Sequence, residues 1–205
     1  MNATLAEEHP FISHLANLVR EKDRGALAAL RRGLGRPPGS VRAMDRYVLR
    51  YLSSDAGEKQ ENAYYLVAAL FAYWHQGKDS LTDGAPVNLG ASLWAMVKKA
   101  ADEDTSNRSY PDKWKEAEKR IEKRLVALLN CHRDDLPAHL RHTISLLKSK
   151  DIPVNWTQLL WDVQKWHWES RDVQRGWARK FWRGYSTGTN PDETPSQNEE
   201  NKEGE

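Results

Sequence analysis

Wound on a helix, the stretch ENAYYLVAALFAYW, which ends at Trp74, is apolar on nearly every side. A helix without a polar face has nothing to turn toward water and must be buried all round. Residues Tyr64–Trp74 are therefore expected to form the central helix of the first half of the chain, with other helices arranged to cover it. The remaining sequence supports an all-α fold. No run shows the strict alternation of a half-buried strand, whereas apolar residues recur three and four apart in segment after segment.

Phe11, Leu15, Leu18 and Val19 make one such stripe, and KDRGALAALRRG makes a short second helix that stops at Gly33 and Gly35. Pro37-Pro38-Gly39 then forces a turn, and Ser40 is placed to cap a helix carrying Met44, Tyr47, Val48 and Tyr51. After the loop QGKDSLTDGAPVNLG, the segment GASLWAMVKKA turns Leu93, Met96 and Val97 inward. DEDTSNRSYPD breaks the pattern again. Three helices follow, with stripes Trp114-Ala117-Ile121-Leu125-Leu128, then Leu136-Leu140-Ile144-Leu147, then a tryptophan-rich segment entered at Asn155. Asp134 or Asp135 is expected to cap the second of these, with Pro137 in its first turn. This divides the chain into two helical subdomains: 1–105, an N-terminal helical domain, and 106–185, a C-terminal helical bundle. Residues 186–205 form a tail with six acids, one base and nothing to bury, expected to be disordered.

Six of the nine tryptophans lie between Trp156 and Trp182. Leu159, Val163, Trp166, Ser170, Val173, Trp177 and Phe181 follow helical spacing, so Trp166 and Trp177 belong to a buried stripe, with a break near ESRD. Trp161 and Trp168 lie on the other side, with Lys165 between them. They either touch a neighbouring helix or form an exterior patch. The charges around them are mixed, which favours a protein contact over a base-stacking platform.

The whole chain carries +2 and the tail −5, which leaves about +7 on residues 1–185. Three basic clusters account for the sites of interest. Arg31, Arg32 and Arg36 crowd the end of the second helix, where a single cation would satisfy the helix dipole. Lys119 stacks on Lys123 and Arg120 on Arg124 at i, i+4 spacing, a mild repulsion that a polyanion would relieve, although Glu116 and Glu122 are near enough to offset part of it. Arg141 and Lys148 share one side of the following helix, beside His142.

Catalytic and metal signatures are missing. There is no phosphate-cradling glycine loop with lysine, no HExxH and no paired CxxC. His139 and His142, with Cys131 and His132 nearby, lack the repeated spacing of a zinc site. Asp102, Glu103 and Asp104 read as a solvated loop. No cofactor is implied. One cysteine, no apolar run long enough to span a bilayer and no secretory-type N-terminus fit a cytoplasmic protein.

The ordered blocks RGALAALRRGLGRPPGS, NLGASLWAMV, EKRLVALLNCHRDDLPAHLRHTISLLKSKDIPVNWTQLLWDVQKW and VQRGWARKFW resemble the CasB family, the small subunit of the type I-E CRISPR surveillance complex, Cascade. The resemblance covers residues 8–185. It implies an all-helical, non-enzymatic subunit that sits as two head-to-tail copies beside the repeated crRNA-binding backbone subunit and the large subunit. Basic surfaces in that family help hold the target and displaced strands of the R-loop. Carried over, the family's basic helix falls on Lys123 and Arg124, its Leu-Arg pair on Arg141 and its N-terminal arginine pair on Arg31 and Arg32. Lys123-Arg124-Leu125 departs from a more usual Arg-Arg-Phe, and His142 takes a position that is commonly basic. A helical adaptor working only through protein contacts, centred on Trp161 and Trp168, is the alternative.

Overall fold

The computed structural model describes residues 9–78, 80–81 and 85–183. The tail assigned to 186–205 lies outside the described residues. Nine α-helices and no strand form among the described residues. They are α1 (Pro10–Arg20), α2 (Arg24–Arg31), α3 (Asp45–Val48), α4 (Glu58–Trp74), α5 (Leu89–Asp102), α6 (Tyr110–Asn130), α7 (Leu136–Ser149), α8 (Trp156–Lys165) and α9 (Asp172–Arg183).

Local chemistry sets most helix starts. The side chains of Asp23, Asn88, Ser109 and Asn155 accept hydrogen bonds from the backbone N–H groups of Ala26, Ala91, Asp112 and Gln158, at 2.8, 3.1, 3.3 and 2.9 Å. Two expected caps fail. The Ser40 hydroxyl instead donates to the Pro37 carbonyl at 2.6 Å, inside its own turn, and so has no helix to cap. The segment after it is not one helix but the 3₁₀ turns Arg42–Met44 and Leu49–Tyr51 around the four-residue α3. Asp135 precedes α7 but is already wound into the right-handed helical region, so its carboxylate caps no N–H. Asp134 turns to Arg133 and His132 instead.

The α4 helix is the centre the sequence demands. Its residues from Val67 to Ala72 are almost fully inaccessible, and α1, α2, α7 and α8 pack around it. Trp156 of α8 closes the arrangement, with ring centroids 5.3 Å from Phe71 and 6.4 Å from Trp74. The α5 helix lies against α6 and α9. One continuous apolar cluster runs from Phe11 to Phe181, drawing residues from both sides of the 103–109 loop.

The buried carboxylate of this interior is matched, whereas, among the described residues, His14 Nε2, Thr157 Oγ1 and Gln174 Oε1 are buried without a hydrogen-bond partner. The Trp177 indole N–H donates to the buried Asp162 carboxylate at 2.6 Å, and Gln158 donates to its other oxygen at 2.8 Å. Burial pushes the Asp162 carboxyl up, against the pull of those two donors. Trp166 and Trp177 pack at 5.0 Å, as the stripe requires. Ser170 leaves the stripe: it is exposed in the break between α8 and α9, donating to Asp172 at 2.7 Å. That break contains Arg171 at φ 50°, a left-handed conformation that costs about 1–2 kcal/mol for a residue with a Cβ. Its guanidinium reaches the Leu129 carbonyl in the last turn of α6 at 2.6 Å.

Two stability tests follow from this packing. A Cβ on Gly90 would meet the Trp177 carbonyl oxygen at 2.1 Å, backbone against backbone between α5 and α9. Gly90→Ala should therefore lower unfolding stability by more than about 2 kcal/mol. Gly176, inside α9 with no atom within 4 Å of a Cβ, should gain about 0.5–1 kcal/mol as alanine. Urea melts of both variants check the pair. The second test concerns His75, buried beside the end of α4, where its ring N–H donates to the Phe71 carbonyl at 2.9 Å. Burial above all, helped by the Lys78 and Lys148 cations, depresses it to about 4. The folded state thus excludes a proton that the unfolded chain accepts below about pH 6.5. Stability contributed by neutral His75 is whole above that pH and is lost as the pH falls toward 4, by about 3 kcal/mol at the limit. His75→Gln should lose less stability between pH 7 and pH 4.5 than the unmodified chain.

Candidate nucleic-acid interface

The α2 helix delivers Arg31 at its last turn and Arg32 at its C-cap, and the loop through Gly33 and Gly35 carries Arg36 outward. Arg31 is half-buried, while Arg32 and Arg36 are exposed. Gly35 sits at φ +75°, and a Cβ there would lie 3.1 Å from a guanidinium nitrogen of Arg141. A residue without a side chain lets this loop lie against α7, so Arg36 and Arg141 line the same cavity.

Arg31 is likewise brought near Lys148. The Lys148 ammonium is held below the usual lysine range by burial, then by the Lys78 and Arg31 cations. Its hydrogen bonds are spent on the fold: it donates to the Tyr73 carbonyl at 2.6 Å and the Gln76 carbonyl at 3.0 Å, and lies 4.7 Å from the Tyr73 ring centre. Lys148 thus caps the C-terminal end of α4, where a cation also meets the negative pole of the helix.

On α6, Lys119, Arg120, Lys123 and Arg124 are all exposed and none lines the cavity beside Arg141. Glu122 accepts a hydrogen bond from the Trp182 indole at 3.1 Å. Glu118 is pushed up by burial and then by the neighbouring Glu122 charge. The offset expected from Glu116 and Glu122 does not form as ion pairs. Among the described residues, none of Arg31, Arg32, Arg36, Lys119, Arg120, Lys123, Arg124 and Arg141 pairs with a carboxylate. Eight cations therefore remain available to an external anion.

The carboxylates at the end of α5 and in the loop after it are committed internally. Asp102 accepts from the Tyr110 hydroxyl at 2.9 Å, Glu103 pairs with Lys150, and Asp104 accepts from the Ser106 N–H at 2.8 Å. Among the described residues, no three His, Cys, Asp or Glu side chains are grouped to hold a metal ion.

Trp161 and Trp168 are 43% and 48% exposed, which places them outside the core. The Lys165 ammonium lies between them, 5.8 and 5.3 Å from their ring centres. His9 meets Trp161 edge-on at 5.4 Å. A third indole of the segment, Trp182, is also 40% exposed. The sequence reading missed it, although its place next to inward-facing Phe181 turns it toward solvent. Lys59, Arg133 and His167 were missed as well. They line the cavity with Arg36 and Arg141, yet lie far apart in the chain, and no local pattern joins them.

Comparison with known proteins identifies what this chain is similar to. The family profile described as CRISPR-associated protein Cse2 matches residues 26–182. A CRISPR-associated protein Cse2 of Thermus thermophilus is 30% identical over 188 residues, covering 89% of this chain and 92% of that protein. Among solved structures, a chain of a CRISPR RNA-guided surveillance complex superposes with a TM-score of 0.69 at 26% identity, over 89% of this chain and 95% of that one. The crystal structure of CasB from Thermus thermophilus superposes with a TM-score of 0.60 at 28% identity, over 84% and 97% of the two chains. The chain belongs to the Cse2 (CasB) family of CRISPR-associated proteins.

Proposed function

We propose that this protein is the non-catalytic small subunit of a Cascade-type CRISPR surveillance complex. In this reading it works in the cytoplasm beside the large subunit, the repeated backbone subunit and a second copy of itself, holding strands of the R-loop between crRNA and target DNA. The observation that carries the reading is the set of eight cations without carboxylate partners among the described residues. A charged side chain free of internal partners gains most when a phosphate replaces water around it. Arginine forks suit phosphate oxygens, and sequence readout is left to the guide. Exchange of a DNA duplex for an RNA–DNA duplex is nearly balanced in energy, so modest phosphate contacts to the separated strand tip it.

Binding by the isolated protein should be indifferent to sequence, on the order of micromolar or weaker, and steeply salt-dependent. Reversing Arg31, Arg32, Lys123, Arg124 and Arg141 to Glu should weaken single-strand retention at least about tenfold and flatten the salt slope, with the circular dichroism spectrum intact. Unchanged retention would overturn the site assignment. Lys148→Met should behave differently, losing about 1–2 kcal/mol of stability through the uncapped α4 carbonyls and changing binding little.

The exposed pair Trp161 and Trp168, bridged by Lys165, favours a partner-protein surface on the same molecule. Trp161→Ser with Trp168→Ser should reduce incorporation into the assembled complex while leaving strand binding by the isolated protein within about twofold. Lost strand binding with intact assembly would assign the indoles to bases instead.

A further inference from the structure

Arg36 and Arg141 stand on the rim of a cavity of about 630 Å³ formed by the loop after α2 and by α4, α7 and α8. That volume is in the range of small-molecule sites, about 300–1,000 Å³. Its floor is apolar, built from Met44, Ala63, Leu66, Leu136, Val163 and Trp166. Its rim is basic: Arg36, Lys59, Arg133 and Arg141, with His142 and His167 beside them. Asp134 is the one acidic lining residue, and it is paired with Arg133 at 3.3 Å. Three rim cations, Arg36, Lys59 and Arg141, have no carboxylate partner among the described residues. His167 lies near two of the rim cations: slight burial and then Lys59 and Arg133 hold its ring below the usual histidine range.

A bare phosphate would satisfy this rim and leave the floor wet. An apolar ligand would fill the floor and leave the cations unanswered. A nucleotide does both, because a flat base with little hydration on its faces is joined to a phosphate. Asn62 on the wall adds an amide that both donates and accepts. We propose that the cavity takes one unstacked nucleobase of a bound single strand, with the flanking phosphates held by Arg36, Lys59 and Arg141. The inference rests on the phosphate-binding reading above and adds a base to it.

The test compares a twelve-residue oligothymidylate with an oligomer of equal length made of abasic sites, which has the same phosphates and no bases. The full-length protein should bind the base-bearing strand about 5- to 100-fold more tightly. Ala138 lines the cavity from the first turn of α7 and is exposed, so Ala138→Trp fills the space without displacing the core. That variant should bind both strands as weakly as the unmodified chain binds the abasic one. Ala138→Leu, a smaller change, should fall between and stands in if the tryptophan variant does not fold. Equal binding of both strands by the unmodified chain overturns the pocket and leaves the phosphate reading standing. A base preference that survives Ala138→Trp places the base elsewhere and overturns the pocket too, as does stronger competition by polyglutamate than by oligothymidylate, which would assign the cavity to an acidic protein segment. If neither strand binds at low salt, the phosphate reading falls and the pocket with it.

Discussion

A helix with no polar face dictates this fold. Tyr64–Trp74 offers water little, so the elements packed on it, α1, α2, α3, α7 and α8, are arranged by the need to enclose it. Helices α1 and α2 cover it from the N-terminal side, and α7 and α8 from the C-terminal side, with Trp156 wedged against Phe71 and Trp74. The same enclosure brings the loop after α2 against α7. The sharing of one cavity by Arg36 and Arg141 is thus a by-product of hiding α4.

Apart from those paired with carboxylates, such as Lys150 with Glu103 and Arg133 with Asp134, cations in this chain have two separate employments, and surface counting confuses them. Lys148 and Arg171 turn inward to the terminal carbonyls of α4 and α6, groups that a helix cannot satisfy itself. The arginines of α2 and α7 and the quartet on α6 have no such engagement. Net charge treats both kinds alike. Only the second kind leaves its positive potential to the surroundings.

What depended on near neighbours in the chain could be read in advance. Helical spacing placed α4, the stripes of α6 and α7, the separation of Trp166 and Trp177 from Trp161 and Trp168, and the cap at Asn155. What depended on distant segments could not. Nothing in HRDD or EKQEN announces that Arg133 and Lys59 share a rim, because α4 and α7 must first be packed side by side. Lys148 looked like the seventh-residue partner of Arg141, and only the position of the end of α4 reveals its other use. Ser40 failed as a cap because a nearer carbonyl took its hydroxyl, and Ser170 left its stripe because the chain turns at Arg171.

The continuity of the interior across the 103–109 loop has a consequence for recognition. Arg36 and Arg141 belong to segments more than a hundred residues apart, yet the packing of those segments on one apolar mass brings both to the same cavity. A ligand that spans them meets backbone positions already set, and that part of the ordering entropy was lost when the chain folded.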